Sequence, residues 1–281
     1  MLKTIIRKTP PLRYLASVLY RMRIPFQYHG KTFKSIFKWI FVNKETTNFT
    51  YPITVMNKKY LATLISEITN TQYDKVVGYF NELEGDKDLF NHIVNFAKNS
   101  DRSFVTDFVP QYGRRLGWYA LTRILKPKVV VETGVEKGLG SCVLTSALER
   151  NTKEGFPGYY YGTDINPAAG FLLGGKYTQF GKILYGDSIN SLQNLEEKID
   201  LFINDSDHSA DYEYDEYITI KDKISSRAVI LGDNAHCTTK LMDFSLLTNR
   251  KFIFFKEEPE NHWYPGSGIG ISYTDKIKDK N

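Results

Sequence analysis

Cysteine is scarce: Cys142 and Cys237 are the only two in 281 residues. That count excludes a disulfide framework and a thiolate zinc cluster, and each cysteine reads as a small apolar residue. Long hydrophobic runs are missing too, since none approaches the roughly 20 residues that cross a bilayer. Arg13 and the Pro10-Pro11 pair interrupt the apolar residues near the amino terminus. No secretory leader is therefore expected, and the chain reads as cytosolic. Acidic residues are absent from positions 1–44, which hold ten Lys or Arg. Of 37 basic residues in all, 27 remain for the rest of the chain, against 32 acidic ones. A basic, aromatic-rich leading segment suggests peripheral contact with an anionic surface, such as a membrane or a phosphorylated carrier, or else a solvated arm packed on the body. Nucleic acid ranks third as a partner, because no recognisable binding motif accompanies the charge.

What is present is ordinary in bulk, with 42% hydrophobic and 25% charged residues, and long enough for one large domain with an appendage. The first hundred residues read as helical. PPLRYLASVLYRMR and KTFKSIFKWIFV can each form an amphipathic helix, and three more follow between Asn57 and Asn99, marked by Leu61 and Ile65, by Val76 and Phe80, and by Leu89 and Ile93. Strand character there is confined to a weak signal around Thr50 to Val55. The division expected is a basic, mainly helical appendage over 1–105 and a second domain over 106–281.

From about Lys128 the pattern changes. KVVVE, YYYGTD, KILYGD, LFIND, AVILGD and FIFFKE alternate with helix candidates around 140–150, 188–196, 210–224 and 239–247. Short apolar runs separated by amphipathic stretches predict βαβ units, hence an α/β fold with a mostly parallel sheet covered on both faces. GIGISY, after a Pro-Gly turn, has no room for a crossover helix behind FIFFKE and is expected to pair antiparallel with it.

The first run leads into Glu132-Thr133-Gly134-Val135-Glu136-Lys137-Gly138-Leu139-Gly140-Ser141. Glycines after a first strand let the backbone pass close to a ligand. The spacing is G-x-x-x-G-x-G, not the G-x-G-x-x-G of dinucleotide folds, and no Gly-Lys-Ser/Thr follows, so a P-loop is excluded. Glu132 would repel phosphate but suit an amino group. Asp164, at the end of the second run, can accept from both ribose hydroxyls, and Asp187-Ser188 after the third run offers an acceptor for an exocyclic amine. An amine, a ribose and a purine without phosphate describe S-adenosylmethionine.

The pieces VVVETGVEKGLGS, YYYGTDINPAAG, ILYGDSINSL, LFINDSDHSADYEYDEY and ILGDNAH stand in the order found in class I S-adenosylmethionine-dependent methyltransferases, which the chain resembles over about residues 112–275. The resemblance implies a Rossmann-like seven-stranded methyltransferase sheet of order 3-2-1-4-5-7-6 with the last strand antiparallel. It also implies a cofactor site at Glu132, Thr133, Gly134, Gly138, Gly140, Asp164, Asp187 and Ser188.

The decapeptide IDLFINDSDH, residues 199–208, is a buried strand that ends in Asp205, Asp207 and His208, an ending costly to build without partners. Strands linked by one helix are usually neighbours, so Asp205 can meet Asp233 and Asn234 after the next run. Two carboxylates and an amide oxygen form a hard donor set suited to Mg²⁺. The trio looks like the metal site of the catechol-type and macrolide-sugar O-methyltransferases, whose base position falls here on His208. A histidine suits general-base work at neutral pH. Asp207 is an alternative ligand or a helix cap, and His208 an alternative cap. His236 stands near the pair, and Trp263-Tyr264 could stack an acceptor. The expected activity is Mg²⁺-dependent O-methylation of a sugar, glycan, glycolipid or secondary metabolite; the alternatives are metal-independent methylation of another acceptor atom and a non-catalytic, cofactor-binding scaffold subunit.

Overall fold

In the computed structural model, which describes residues 9–46, 49–207 and 209–278, each apolar run singled out above is a strand. β1 (Val129–Thr133), β2 (Tyr159–Asp164), β3 (Gly181–Tyr185), β4 (Ile199–Asn204), β5 (Ile224–Gly232), β6 (Lys251–Lys256) and β7 (Gly268–Tyr273) form one sheet in the order β3-β2-β1-β4-β5-β7-β6. The first five run parallel, and β7 is antiparallel to both of its neighbours. β3 and β6 are the open sides. β1 is buried throughout and β4 at all but Asp200. Strands covered on both faces carry near-continuous apolar runs, not strict alternation, which is how these two read.

Among the described residues the helices of eight or more residues, with one shorter, are α1 (Pro10–Val42), α2 (Val55–Thr69), α3 (Tyr73–Glu84), α4 (Lys87–Asn99), α5 (Arg115–Leu125), α6 (Leu139–Lys153), α7 (Ser188–Asn194, the short one), α8 (Ala210–Ile220) and α9 (Lys240–Leu247). On one face of the sheet α7, α8 and α9 bury Leu192, Tyr217, Ile220 and Phe244 against Val129, Val131, Phe202 and Ile230. α6 packs on β1 and β2, and α5 packs on α6.

Two compact units are distinguishable. The larger takes in Lys44–Glu260 and everything from Pro265 on; the smaller holds α1 and Asn261–Tyr264. The larger unit includes α2, α3 and α4, which the sequence groups with the leading appendage. Their apolar stripes (Leu61 and Ile65, Val76 and Phe80, Leu89 and Ile93) are buried. Local chemistry sets their ends: Thr54 accepts from the Asn57 N–H at 3.2 Å, Asp86 accepts from the Leu89 N–H at 2.9 Å, and Asn70 closes α2 in the left-handed region. Asn57 fastens α2 to the end of β6, donating to the Lys256 carbonyl and accepting from the Glu258 N–H, both at 2.9 Å.

Two local expectations change. The signal around Thr50 to Val55 amounts to a single bridge between Ile53 and Pro259, because proline has no N–H with which to continue a ladder. The two helices expected before residue 43 are one, α1, running through Pro25. Proline inside a helix leaves the carbonyl four residues earlier without its partner, and no side chain of α1 is buried, so water can satisfy the freed group. In the smaller unit the Trp39 and Trp263 rings meet edge-on, 5.3 Å apart.

Candidate functional site

β1, β4 and β5 lie side by side and parallel, so the loops after them share one edge of the sheet. Gly134 has φ +79°, and a Cβ added there would lie 2.0 Å from the Asp205 carbonyl oxygen. Any larger residue would force the loop after β1 away from the end of β4. Gly140, in the first turn of α6, is equally constrained: a Cβ would meet a Glu132 carboxylate oxygen at 2.1 Å. Gly138 stands at the amino end of α6.

Under this loop Glu132 is 1% exposed. It accepts a 2.5 Å hydrogen bond from the Tyr160 hydroxyl, which lies 2.7 Å from the Ser141 hydroxyl. Burial pushes the Glu132 pKa up to about 7 against the pull of the Tyr160 bond. Asp164 holds the loop from the side, accepting from the Glu136 N–H at 2.9 Å and from the Asn166 N–H at 2.8 Å. Asp187 caps α7 through the Asn190 N–H at 2.8 Å and accepts from the Tyr212 hydroxyl at 3.2 Å. Thr133 and Ser188 point to the other face, where both hydroxyls donate to Glu216.

The acids after β4 and β5 converge. Asp205 and Asp233 meet on one guanidinium, that of Arg114. Its Nε is 2.5 Å from Asp233 Oδ1, its Nη2 3.6 Å from Asp205 Oδ2 and its Nη1 3.6 Å from Glu257 Oε2. Glu257 in turn accepts from the Arg114 main-chain N–H and from the Tyr51 hydroxyl, each at 3.0 Å. Burial, and after it the charge of Asp233, raises the Asp205 pKa well above the usual carboxylate range despite Arg114. Burial also works against the Arg114 charge, but Asp233, Glu257 and Asp205 outweigh it and raise its pKa further.

Asn234 is fully buried; its amide N–H reaches the Asp207 carbonyl at 3.4 Å, while its Oδ1 has no hydrogen-bond partner among the described residues. Asp207 itself is exposed and accepts from the Ser209 N–H (3.3 Å) and hydroxyl (3.0 Å) just ahead of α8. His208 lies outside the described residues. His236 is half-buried with Nδ1 3.0 Å from the Asp233 carbonyl oxygen. Trp263 and Tyr264 belong to the smaller unit.

Among the described residues no group of three His, Cys, Asp or Glu side chains could hold a metal ion. What this edge does hold is two carboxylates on one guanidinium and, in the loop after β5, the Asn234 amide oxygen, which has no hydrogen-bond partner among the described residues. Their chemistry fits a hard divalent cation, and three acids surround a single contacting guanidinium.

Three contributors escape a reading of the sequence. Arg114 sits in an Arg-Arg pair that resembles solvated surface, and Glu257 reads as the polar end of an edge strand. Glu216 accepts from Thr133 and Ser206, at 3.0 and 2.8 Å, and from Ser188 and Asn204. It lies in the acid-rich ADYEYDEY, but its spacing carried a signal. Glu213, Glu216, Tyr217 and Ile220 occupy one helical face, and all four are buried.

Residues 131–235 match the model of a family described as a methyltransferase domain. The matched stretch runs from β1 to the loop after β5, and the strand order observed is the one expected above for a methyltransferase sheet. No curated protein matches the chain by sequence. Solved structures similar to it include the Streptomyces achromogenes O-methyltransferase TomG of tomaymycin synthesis, in complex with SAM (13% identity, TM-score 0.48, 67% of this chain and 90% of that one). Others are a methyltransferase from Geobacter sulfurreducens (17%, TM-score 0.46, 69% and 95%) and the SAH-bound Podospora anserina methyltransferase PaMTH1 (16%, TM-score 0.43, 81% and 99%).

Proposed function

We propose that the chain transfers a methyl group from S-adenosylmethionine to a hydroxyl oxygen of a sugar, glycan, glycolipid or secondary metabolite. One observation carries this reading: the glycine loop after β1 and the acids after β4 and β5 touch at Gly134 and Asp205. A methyl donor on the loop would therefore have an acidic, partly unsatisfied pocket at its side. The donor supplies an electrophilic methyl group, the S–CH₃ bond breaking as O–CH₃ forms. Glu132 offers a carboxylate to the donor's amino group and gives up its own proton as it does so. Asp164 and Asp187 face the ribose and the base, and Gly134, Gly138 and Gly140 leave the cradle open. His208, next in sequence to Asp207, takes the acceptor's proton.

Asp205, Asp233 and the unpartnered Asn234 Oδ1 would hold Mg²⁺, which makes a bound hydroxyl more acidic. A second reading is favoured by Arg114, whose guanidinium already supplies a counter-charge to both carboxylates: methyl transfer without a metal, to oxygen or to another acceptor atom. Radiolabelled methyl transfer into glycan and lipid extracts, before and after complete chelation, separates the two. Loss of transfer restored by Mg²⁺ supports the metal site, and undiminished transfer supports the second reading. The cofactor assignment has its own test. S-adenosylhomocysteine should bind saturably by calorimetry, and Asp164→Ala should weaken that binding. Absence of binding to the unaltered protein overturns the proposal.

A further inference from the structure

Among the described residues α1 differs from every other α-helix in burying no side chain. Its 33 residues include Arg13, Arg21, Arg23, Lys31, Lys34 and Lys38, no acid, and no buried side chain. Leu15, Leu19, Met22, Phe26, Phe33 and Phe37 fall at intervals of three, four or seven, which places them on one face of a helix. Each is at least half exposed, from 50% for Phe33 to 62% for Phe37. Phe26 and Phe33 extend along that face as a ring pair 6.1 Å apart. At about 100° per residue, Lys31 and Lys38 fall on the far side of the helical wheel and Lys34 on its flank.

We infer that α1 is an in-plane anchor that lies on an anionic lipid bilayer, with the Leu15–Phe37 stripe in the acyl boundary and the lysines among the head groups. An apolar stripe opposed by cations, with nothing in the helix to neutralise them, matches that surface in both hydrophobicity and charge. Spanning is excluded, since no described helix is long and apolar enough to cross a membrane. A second copy of α1 matches poorly. Packed stripe to stripe, two copies would have to seat His29 in the seam, where it breaks the stripe's heptad continuation, with Pro25 and Gly30 close by.

The test is co-flotation of the full chain with vesicles of phosphatidylcholine alone or with about a third phosphatidylserine. Anionic vesicles should retain at least about tenfold more protein, since each basic residue near such a surface adds to binding. The excess should vanish in high salt and in Lys31→Glu/Lys34→Glu/Lys38→Glu. Phe26→Ser/Phe33→Ser should lose retention while keeping its thermal midpoint, because no α1 side chain is part of a core. Equal retention on both vesicle types, or none on either, overturns the inference. So does a concentration-dependent dimer in light scattering that the Phe26→Ser/Phe33→Ser variant abolishes while vesicles are ignored.

Discussion

α1 and β4 are built from similar materials and put them to opposite uses. α1 carries Leu, Phe and Ile at regular intervals and leaves all of them partly or wholly in water. β4 carries Ile199, Leu201, Phe202 and Ile203, all with no exposed surface, and passes at once into the Asp205 site. The lesson is that an apolar pattern states only that a face seeks cover. Whether that cover is the protein's own core depends on what else is in the chain to supply it. β4 has β1 and β5 beside it and helices over it, so its polar ending is held among fixed partners. α1 has no such enclosure, so its charges stay solvated.

The contrast can be broken at its strongest point by Arg114→Met, which would leave the buried Asp233 and Glu257 and the half-buried Asp205 without their contacting cation. Removing one partner from such a cluster costs about 3–5 kcal/mol, read from urea unfolding at neutral pH. The deficit should shrink on acidification as the carboxyls protonate. Phe202→Ala in β4 should cost about 3–4 kcal/mol through the cavity it leaves, measured the same way. Next comes a pH effect. Burial raises the Glu132 pKa from 4.5 to about 7, so the folded protein holds that proton more tightly than the unfolded chain does. Stability is therefore full below about pH 4.5 and declines as pH rises through about 7, by a share on the order of 3 kcal/mol. Glu216, also pushed up to about 7 by burial, titrates in the same window. Glu132→Gln should flatten the decline without removing it, as midpoints at pH 5 and pH 8 would report. The smallest effect is Phe33→Ala in α1, expected within about 0.5 kcal/mol. A large loss there would show that the face is covered after all.

The sheet was legible because its strands are short, apolar and separated by helix-length stretches, and because the segment after β6 is too short for a crossover. That the loop carrying Asp205 would lie beside the loop carrying Asp233 followed from the adjacency of β4 and β5. Arg114 was not legible, because its partners lie far away in sequence and nothing local distinguishes it from Arg115. The unity of α1 was hidden by Pro25, which argues for a break on propensity alone. Glu216 was hidden by its neighbours: among so many acids its helical register mattered more than its charge, and composition obscured the register.

The placement of β3 and β6 at the two sides of the sheet has a consequence for handling this protein in solution. A lateral strand offers free main-chain groups to any other extended chain, and FIFF in β6 is the run most able to recruit one. Lys251 and Lys256 bracket it at both ends. Lys251 is exposed beside Asp275, and Lys256 is fastened to the Gly266 and Ser267 carbonyls. Lys182 stands next to Gly181 at the start of β3. These lysines act as gatekeepers, and exchanging Lys251 for an apolar residue should lower the concentration at which the purified protein begins to form fibrils or precipitate, without any change in the fold.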